Sequence, residues 1–370
     1  MKENLESEKP ITISLCMIVK NEEDVIGRCL KSVEGLFDEI IIVDTGSTDK
    51  TKEIARQYTD KIFDFEWVND FSKARNYSFS LSNCEYIMWL DADDILPIKE
   101  RSKFIKLKEI LQKEKPDAVM MKYDIAFDEN GKSTFSYFRE RILKRSAGFV
   151  WQDPVHEVIS LKGKILHSEI SIEHHKIEEK RQTDRNLKIY ESLIEMSVKL
   201  SARQMYYYSR ELMYNNLFEK AIENYKKFLL RTDAWIENKL SAYKDMSYCY
   251  LKLNDAMSAK KILLESLQFG RLDADICCKI GDLFLYEKKY KTASIWYELA
   301  LKDKMNLKSG AFIEPRYYNV YPLLQLTVCY YYLGETKKAE KCNSKVGKIE
   351  PKNESYLKNK EIFEKNNIKN

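Results

Sequence analysis

Hydrophobic and polar positions follow two regimes along this chain. Up to about residue 175, short apolar runs alternate with amphipathic stretches. ITISLCMIV, residues 11–19, is short, apolar and rich in β-branched residues, the pattern of a strand buried on both faces. Asn21 follows it and predicts the cap of a helix reaching about Val33. EIIIVDTG, residues 39–46, reads as a second buried strand ending at a glycine turn. Ser47 or Thr48 then predicts the cap of a helix carrying Ile54, Ala55 and Tyr58. KIFDFEW, residues 61–67, is a shorter third strand. Asp70 opens a helix through SKARNYSFSLSN, and YIMWLDADD, residues 86–94, is a fourth strand. Strands alternating with helices of about 10 residues predict parallel βαβ units with helices on both faces, an α/β domain. In open sheets of this kind ligands bind beyond the carboxyl ends of the strands, where Asn21, Asp44 and Asp91 fall.

From about residue 177 the strand signals stop, and the chain is helical and rich in Lys, Glu, Leu and Tyr. EKAIENYKKFL, DAMSAKKILLESL, KTASIWYELAL and TKKAEKCNSKV each set a small residue before an apolar helical stripe. Aligned on Ala221, Ala259, Ala293 and Ala339, they are 38, 34 and 46 residues apart. Twelve residues before each alanine stand Ser209, Ser247, Gly281 and Thr327, all small enough to let paired helices approach closely. The pattern resembles degenerate tetratricopeptide (TPR) repeats, with KSGAFIEPRYYNVYP as extra length before the last copy. An ordinary helical bundle is the alternative. The expected division is 1–176 for the α/β domain, 177–203 for a linker helix, 204–350 for the repeats and 351–370 for a polar tail.

Charge narrows the partners. Lys plus Arg number 62 against 58 Asp plus Glu, a net of +4 without a concentrated basic patch, which gives no case for nucleic acid. None of the eight cysteines stands in a C-x-x-C pair, and most lie in apolar runs, so they read as reduced core thiols. The polar start MKENLESEKPITISL carries no signal-type stretch, and no apolar run approaches the roughly 20 residues that span a bilayer. Together these predict a soluble protein of a reducing cytosol.

The string D-T-G-S-T at residues 44–48 also surrounds the catalytic aspartate of aspartic proteases. Such an enzyme needs two facing aspartates sharing a proton. No second copy occurs here, and the DKTKEIARQY that follows is helical in character. The strand-end motifs explain more. They are V-K-N-E-E at 19–23, V-D-T-G-S-T-D at 43–49 and D-A-D-D at 91–94. In their order and placement, residues 13 to about 190 resemble a family 2 glycosyltransferase of the GT-A fold, a Rossmann-like, mostly parallel sheet. The resemblance implies a UDP-sugar donor and a divalent cation, Mn2+ or Mg2+, neutralising the diphosphate. Hard carboxylates at a strand end suit such a cation. It also implies Asp93 as direct metal ligand and Asp91 on ribose or metal-bound water, while Asp94 instead caps the next helix. The implied nucleotide site comprises Val19, Asn21, Glu22, Asp44, Gly46, Arg75, Asp91 and Ala92, with Asp44 accepting from the uracil ring. A solvated acidic turn, and a helix-surface charge for Arg75, are the plainer alternatives.

Farther on, GFVWQDPVHE, residues 148–157, resembles the H-E element of the same family. Glu157 is then the candidate general base, His156 its orienting group and Asp153 the rival base. Trp151 fits a sugar face or a core position equally. ISIEHHK, residues 170–176, offers His174 as a late metal ligand, with His175 close behind. The residues departing from the family's usual His-Gly-Tyr leave that choice open. RQTDRNL, residues 181–187, matches the helix that follows the domain in relatives with repeats. The family inverts the anomeric centre without a covalent intermediate. A transferase domain followed by helical repeats looks like the glycocin-type S-glycosyltransferases, which implies a peptide or protein acceptor modified on Cys or Ser. A saccharide acceptor in surface-polysaccharide assembly is the alternative, and a catalytically degenerate repeat scaffold is the rival of another class. The repeats also suit self-association as a homodimer.

Overall fold

The computed structural model describes residues 9–128, 131, 133–175, 184–305 and 313–367. They divide into two units, Met1–Ser197 and Val198–Asn370.

In the first unit, β1 (Ile13–Val19) runs parallel to β2 (Glu39–Asp44) on one side and β4 (Tyr86–Trp89) on the other, with β3 (Ile62–Asp64) outside β2. The chain builds outward from β1 in one direction and then returns to its other side, so a crevice opens at the carboxyl ends of β1 and β4. These strands are continuous apolar runs because both faces are covered. Ile13, Leu15, Met17 and Val19 pack with Ile26, Cys29 and Leu30 of α1 (Ile26–Ser32) and with Phe104, Leu107 and Leu111 of α4 (Ile98–Glu114). Cys16, Ile41, Val43, Ile87 and Trp89 form the opposite layer with Phe79 of α3 (Phe71–Ser80) and Trp151.

The other half of the sheet is antiparallel in part. β6 (Ala118–Phe127) and β7 (Ser133–Lys144) pair antiparallel, β7 also runs antiparallel to β4, and β10 (Ile165–His174) lies parallel to β6. A two-residue strand β5 (Asp94–Ile95) closes that edge against β10. Two further short strands, β8 (Trp151–Gln152) and β9 (Val158–Ile159), form a separate hairpin. α5 (Arg185–Glu195) ends the unit. Residues 181–183 of the RQTDRNL stretch lie outside the described residues.

Three expected caps fall elsewhere. α1 begins at Ile26, not Asn21, because Asn21 is left-handed (φ +53°) and its Oδ1 accepts from Thr48 N at 2.8 Å. α2 (Thr51–Ala55) is entered past Asp49, whose Oδ1 accepts from Thr51 N at 3.0 Å, while Ser47 Oγ accepts from Asn21 N. Pro97, not Asp94, precedes α4. Asp70 does cap α3, accepting from Lys73 N at 3.1 Å.

The second unit is all-α. Its helices are α6 (Ala202–Tyr214), α7 (Phe218–Leu229), α8 (Ile236–Lys252), α9 (Ala256–Glu265), α10 (Ala274–Tyr286), α11 (Tyr290–Ala300), α12 (Val320–Tyr332), α13 (Thr336–Ile349) and α14 (Glu354–Asn367). Each packs on the next in sequence, the one-dimensional stacking of a repeat array. α14 occupies the stretch read as a polar tail. Ala221, Ala259, Ala293 and Ala339 are wholly buried, and Ser209, Ser247, Gly281 and Thr327 are buried too. Gly281 shows why small residues are needed: a Cβ there would sit 2.8 Å from the Tyr297 ring. Among the described residues no helix is long and apolar enough to cross a membrane. The eight cysteines are unpaired, and burial pushes several thiols up, Cys249, Cys277 and Cys329 to about 12.

Candidate active site

The motifs after β1 and β2 interlock. Thr45 N donates to Val19 O at 2.9 Å, extending the ladder past the strand ends. Asn21 N donates to Ser47 Oγ, Glu22 N to Thr51 Oγ1 and Glu23 N to Asp49 Oδ2. Lys50 N returns a bond to Glu23 Oε2 at 2.9 Å. The two loops thus form one rigid rim. Asp44 sits at its base, 1% exposed. Its Oδ1 accepts from Gly46 N at 2.9 Å and Ser47 N at 2.8 Å. Gly46 has φ +102°, a conformation that favours glycine strongly. Asp44 Oδ2 is buried with no hydrogen-bond partner. A buried carboxylate oxygen without a donor is costly, and it marks a place where an N–H from outside the chain would be welcome.

Arg75 joins distant motifs. Its Nη2 donates to Asp91 Oδ1 at 2.8 Å and its Nε to Glu157 Oε1 at 2.6 Å. The guanidinium lies against both the Trp89 ring, 5.0 Å away, and the Trp151 ring, 4.9 Å away. Burial would lower the Arg75 pKa, but the two carboxylates raise it. Burial would likewise raise Asp91, yet Arg75 and Arg141 hold it down at about 2. Asn76 fixes the β8–β9 hairpin, donating to Trp151 O at 2.9 Å and accepting from Trp151 N at 2.8 Å. Trp151 is 3% exposed and packs edge-on against Trp89, so its ring is part of the core. The loop between β8 and β9 carries Asp153, His156 and Glu157. Pro154 O accepts from Phe71 N at 2.9 Å and Val155 O from the Tyr190 hydroxyl at 3.4 Å. Asp153 and His156 are left-handed (φ +71° and +54°), which folds the loop tightly and leaves Glu157 on Arg75.

The third group lies across the turn after β4, where Ala92 is buried. Asp93, Asp94 and His174 each offer a ligand atom within 4.8 Å of the others. Two carboxylates and an imidazole are a donor set suited to a divalent cation, so the residues fit one. His174 Nδ1 stands 3.4 Å from Asp93 Oδ1 and 3.3 Å from Asp94 Oδ1. Burial would lower the His174 pKa, but hydrogen bonds from its ring to the Asp93 and Asp94 carboxylates raise it to about 9. His175 turns elsewhere: its Nε2 meets Glu173 Oε2 at 3.0 Å and its ring stacks on Phe127 at 5.0 Å. Sequence reasoning missed Tyr123 and Arg141, which sit behind this group. The one signal for Arg141 was a charge directly before the apolar Ile142–Leu143 pair in RERIL, and Tyr123 had none.

Residues 14–171 match the model of glycosyl transferase family 2. The N-terminal domain is a family 2 glycosyltransferase domain. The chain is 30% identical over 233 residues to the SPbeta prophage-derived glycosyltransferase SunS of Bacillus subtilis, covering 59% of this chain and 54% of that protein. It is 33% identical over 148 residues to a TPR repeat-containing protein of Synechococcus elongatus, covering 40% of this chain and 35% of that one. The chain thus spans from about a third to about half of these relatives. Among solved structures, Staphylococcus aureus TarS 1–349 aligns with 12% identity and a TM-score of 0.36, over 70% of this chain and 92% of that chain.

Proposed function

We propose that this chain is a metal-dependent, inverting transferase that moves a sugar from a UDP-sugar to a Cys or Ser side chain of a peptide or protein. The observation that carries the proposal is the Arg75 bridge. One guanidinium ties Asp91, in the acidic motif expected at the nucleotide end, to Glu157, in the loop expected at the acceptor end. Transfer requires those two ends to meet at one anomeric carbon.

In this reading Asp44 accepts from the uracil ring through Oδ2, the oxygen left without a donor inside the chain. Val19, Asn21, Glu22 and Gly46 build the rim around base and ribose, with Asp91 and Ala92 beneath. Arg75 orients Asp91 and contributes positive charge toward the diphosphate. Asp93 and His174 would hold Mn2+ or Mg2+, which when bound supplies charge neutralisation of the departing diphosphate. Glu157 takes the proton from the acceptor thiol or hydroxyl as its sulfur or oxygen bonds to the anomeric carbon. The carbon–oxygen bond to the diphosphate breaks in the same step, and UDP leaves with that electron pair. A thiol acceptor, with an ordinary pKa of about 8.5, asks less of such a base than a hydroxyl does. The helical unit offers a surface for an extended peptide or for a second copy of the chain. Unpaired, mostly buried thiols suit a reducing cytoplasm.

The test is calorimetric titration of UDP with and without manganese, followed by a panel of UDP-sugars against Cys- and Ser-containing peptides and saccharides, read by intact mass. Manganese-dependent UDP binding and a mass increase of one hexose or N-acetylhexosamine on peptide are the expected results. Transfer only to saccharides would overturn the peptide assignment.

A further inference from the structure

We propose that Arg141 is a positioning residue for the candidate metal group, acting through Asp94 and Tyr123 to hold His174 by its Nδ1 side. The proposal rests on the reading that a divalent cation is held by Asp93 and His174. It adds that Asp94, adjacent to Asp93 and close enough to serve as a ligand, is instead an internal support.

The β6–β7 ladder runs Val119 opposite Ile142 and then Met120 opposite Glu140, so Arg141 is an extra residue in β7. Such bulges re-aim a side chain, and they recur beside active sites. Here the bulge delivers a guanidinium that is wholly buried. Its Cζ lies 4.0 Å from the Trp89 ring centroid and 4.3 Å from that of Tyr123. Nη1 donates to Asp94 Oδ2 at 2.9 Å and to Trp89 O at 3.3 Å, where the β4–β7 pairing ends. Asp94 is also wholly buried, and without this partner its charge would be uncompensated in the interior.

Both Asp94 oxygens are committed inward. Oδ2 accepts from Arg141 and from Asp91 N at 3.0 Å. Oδ1 accepts from the Tyr123 hydroxyl at 2.8 Å. That hydroxyl is also 2.8 Å from His174 Nδ1, and a phenol donating to Asp94 is left with lone pairs to accept from Nδ1–H. Every contact of the His174 ring nitrogens among the described residues runs through Nδ1. Nε2 is therefore the nitrogen left for a cation, and Asp93, 23% exposed with its Oδ1 3.4 Å from Nδ1, is the more exposed carboxylate beside the ring. Metal-binding histidines are commonly fixed through their second nitrogen in this way, and the outer partners tune affinity.

The experiment is Mn2+ binding to the full chain by electron paramagnetic resonance, for wild type, Arg141→Met, Arg141→Lys and Tyr123→Phe, each checked for folding by circular dichroism. Arg141→Met is expected to weaken Mn2+ about 10- to 100-fold, with Arg141→Lys recovering part of the loss. Tyr123→Phe is expected to weaken it by less. If Arg141→Met does not fold, the other two variants carry the test. A folded Arg141→Met with wild-type affinity, or unchanged affinity in both Arg141→Lys and Tyr123→Phe, overturns the proposal. If wild type itself binds no Mn2+, the metal reading falls, and the support is then read from 15N spectra of the histidine rings. A His174 signal protonated on Nδ1 that shifts in Tyr123→Phe and Arg141→Lys upholds the support. Signals identical to wild type in both variants overturn it.

Discussion

The two units handle buried polar groups differently. The first concentrates them: at the carboxyl ends of the strands Arg75, Arg141, Asp91, Asp94 and Glu157 link up around Trp89 and Asp44 keeps an oxygen without a donor, while Glu39, Ser14 and Ser82 form a second cluster at the opposite end. The second distributes them. Tyr225 donates to Asp245 at 2.9 Å, and Tyr297 and Tyr321 donate to Asp282 at 2.7 and 2.8 Å, so a tyrosine–aspartate clasp recurs along the helices. Tyr225 and Tyr297 stand at the same offset from Ala221 and Ala293, but Asp245 lies 20 residues after its tyrosine and Asp282 15 before, so the shared position is the tyrosine's and each aspartate is met from a different neighbouring helix. Concentrated charge that the chain does not fully satisfy points to ligands. Satisfied polar groups spread along the helices point to architecture.

That contrast can be broken or sharpened by substitution. Glu157→Gln should lower kcat roughly 100- to 10,000-fold while UDP affinity stays near wild type, as measured by steady-state kinetics beside calorimetry. An equal loss of UDP affinity would move Glu157 to the donor end. Asp93→Asn should weaken manganese-dependent UDP binding about 100-fold, and unchanged binding would remove Asp93 from the metal group. In the second unit, Gly281→Ala drives a methyl group into the Tyr297 ring and should cost about 1–3 kcal/mol in urea unfolding, with UDP binding untouched. Altered UDP binding there would break the division of labour. Tyr297→Phe removes one of the two donors to Asp282 and should cost about 1 kcal/mol by the same measurement.

A pH test separates the ends of the first unit's sheet. Burial would raise the Glu39 pKa, but hydrogen bonds from Lys61, Ser14 and Asn83 lower it to about 2. A depressed carboxylate stabilises the fold above its unfolded value and loses that contribution as pH falls toward its folded value. Urea midpoints of wild type should therefore fall between about pH 4.5 and pH 2, and Glu39→Gln should flatten that slope. An equal slope in the variant would assign the acid sensitivity to the Asp91 end alone.

Sequence legibility followed the same divide between local and distant causes. β1, β2 and β4 were readable because strands covered on both faces are unbroken apolar runs. β6 and β7 were not, because KYDIAF and STFSYFRE carry charged and polar residues at half-exposed positions. Asn21 and Ser47 looked like helix caps because their side chains do accept or offer short-range hydrogen bonds. Their partners lie in the other loop, 26 residues away. Asp44, Arg75, Asp93, Glu157 and His174 stood in recognisable strings. Arg141 did not, since its meaning depends on a bulge and on a carboxylate 47 residues earlier.

The Asp153–Glu157 loop carries a lesson for protein engineering. Phe71, Tyr190 and Arg75 each grip a different residue of it, so exchanging the loop for another would release three anchors at once.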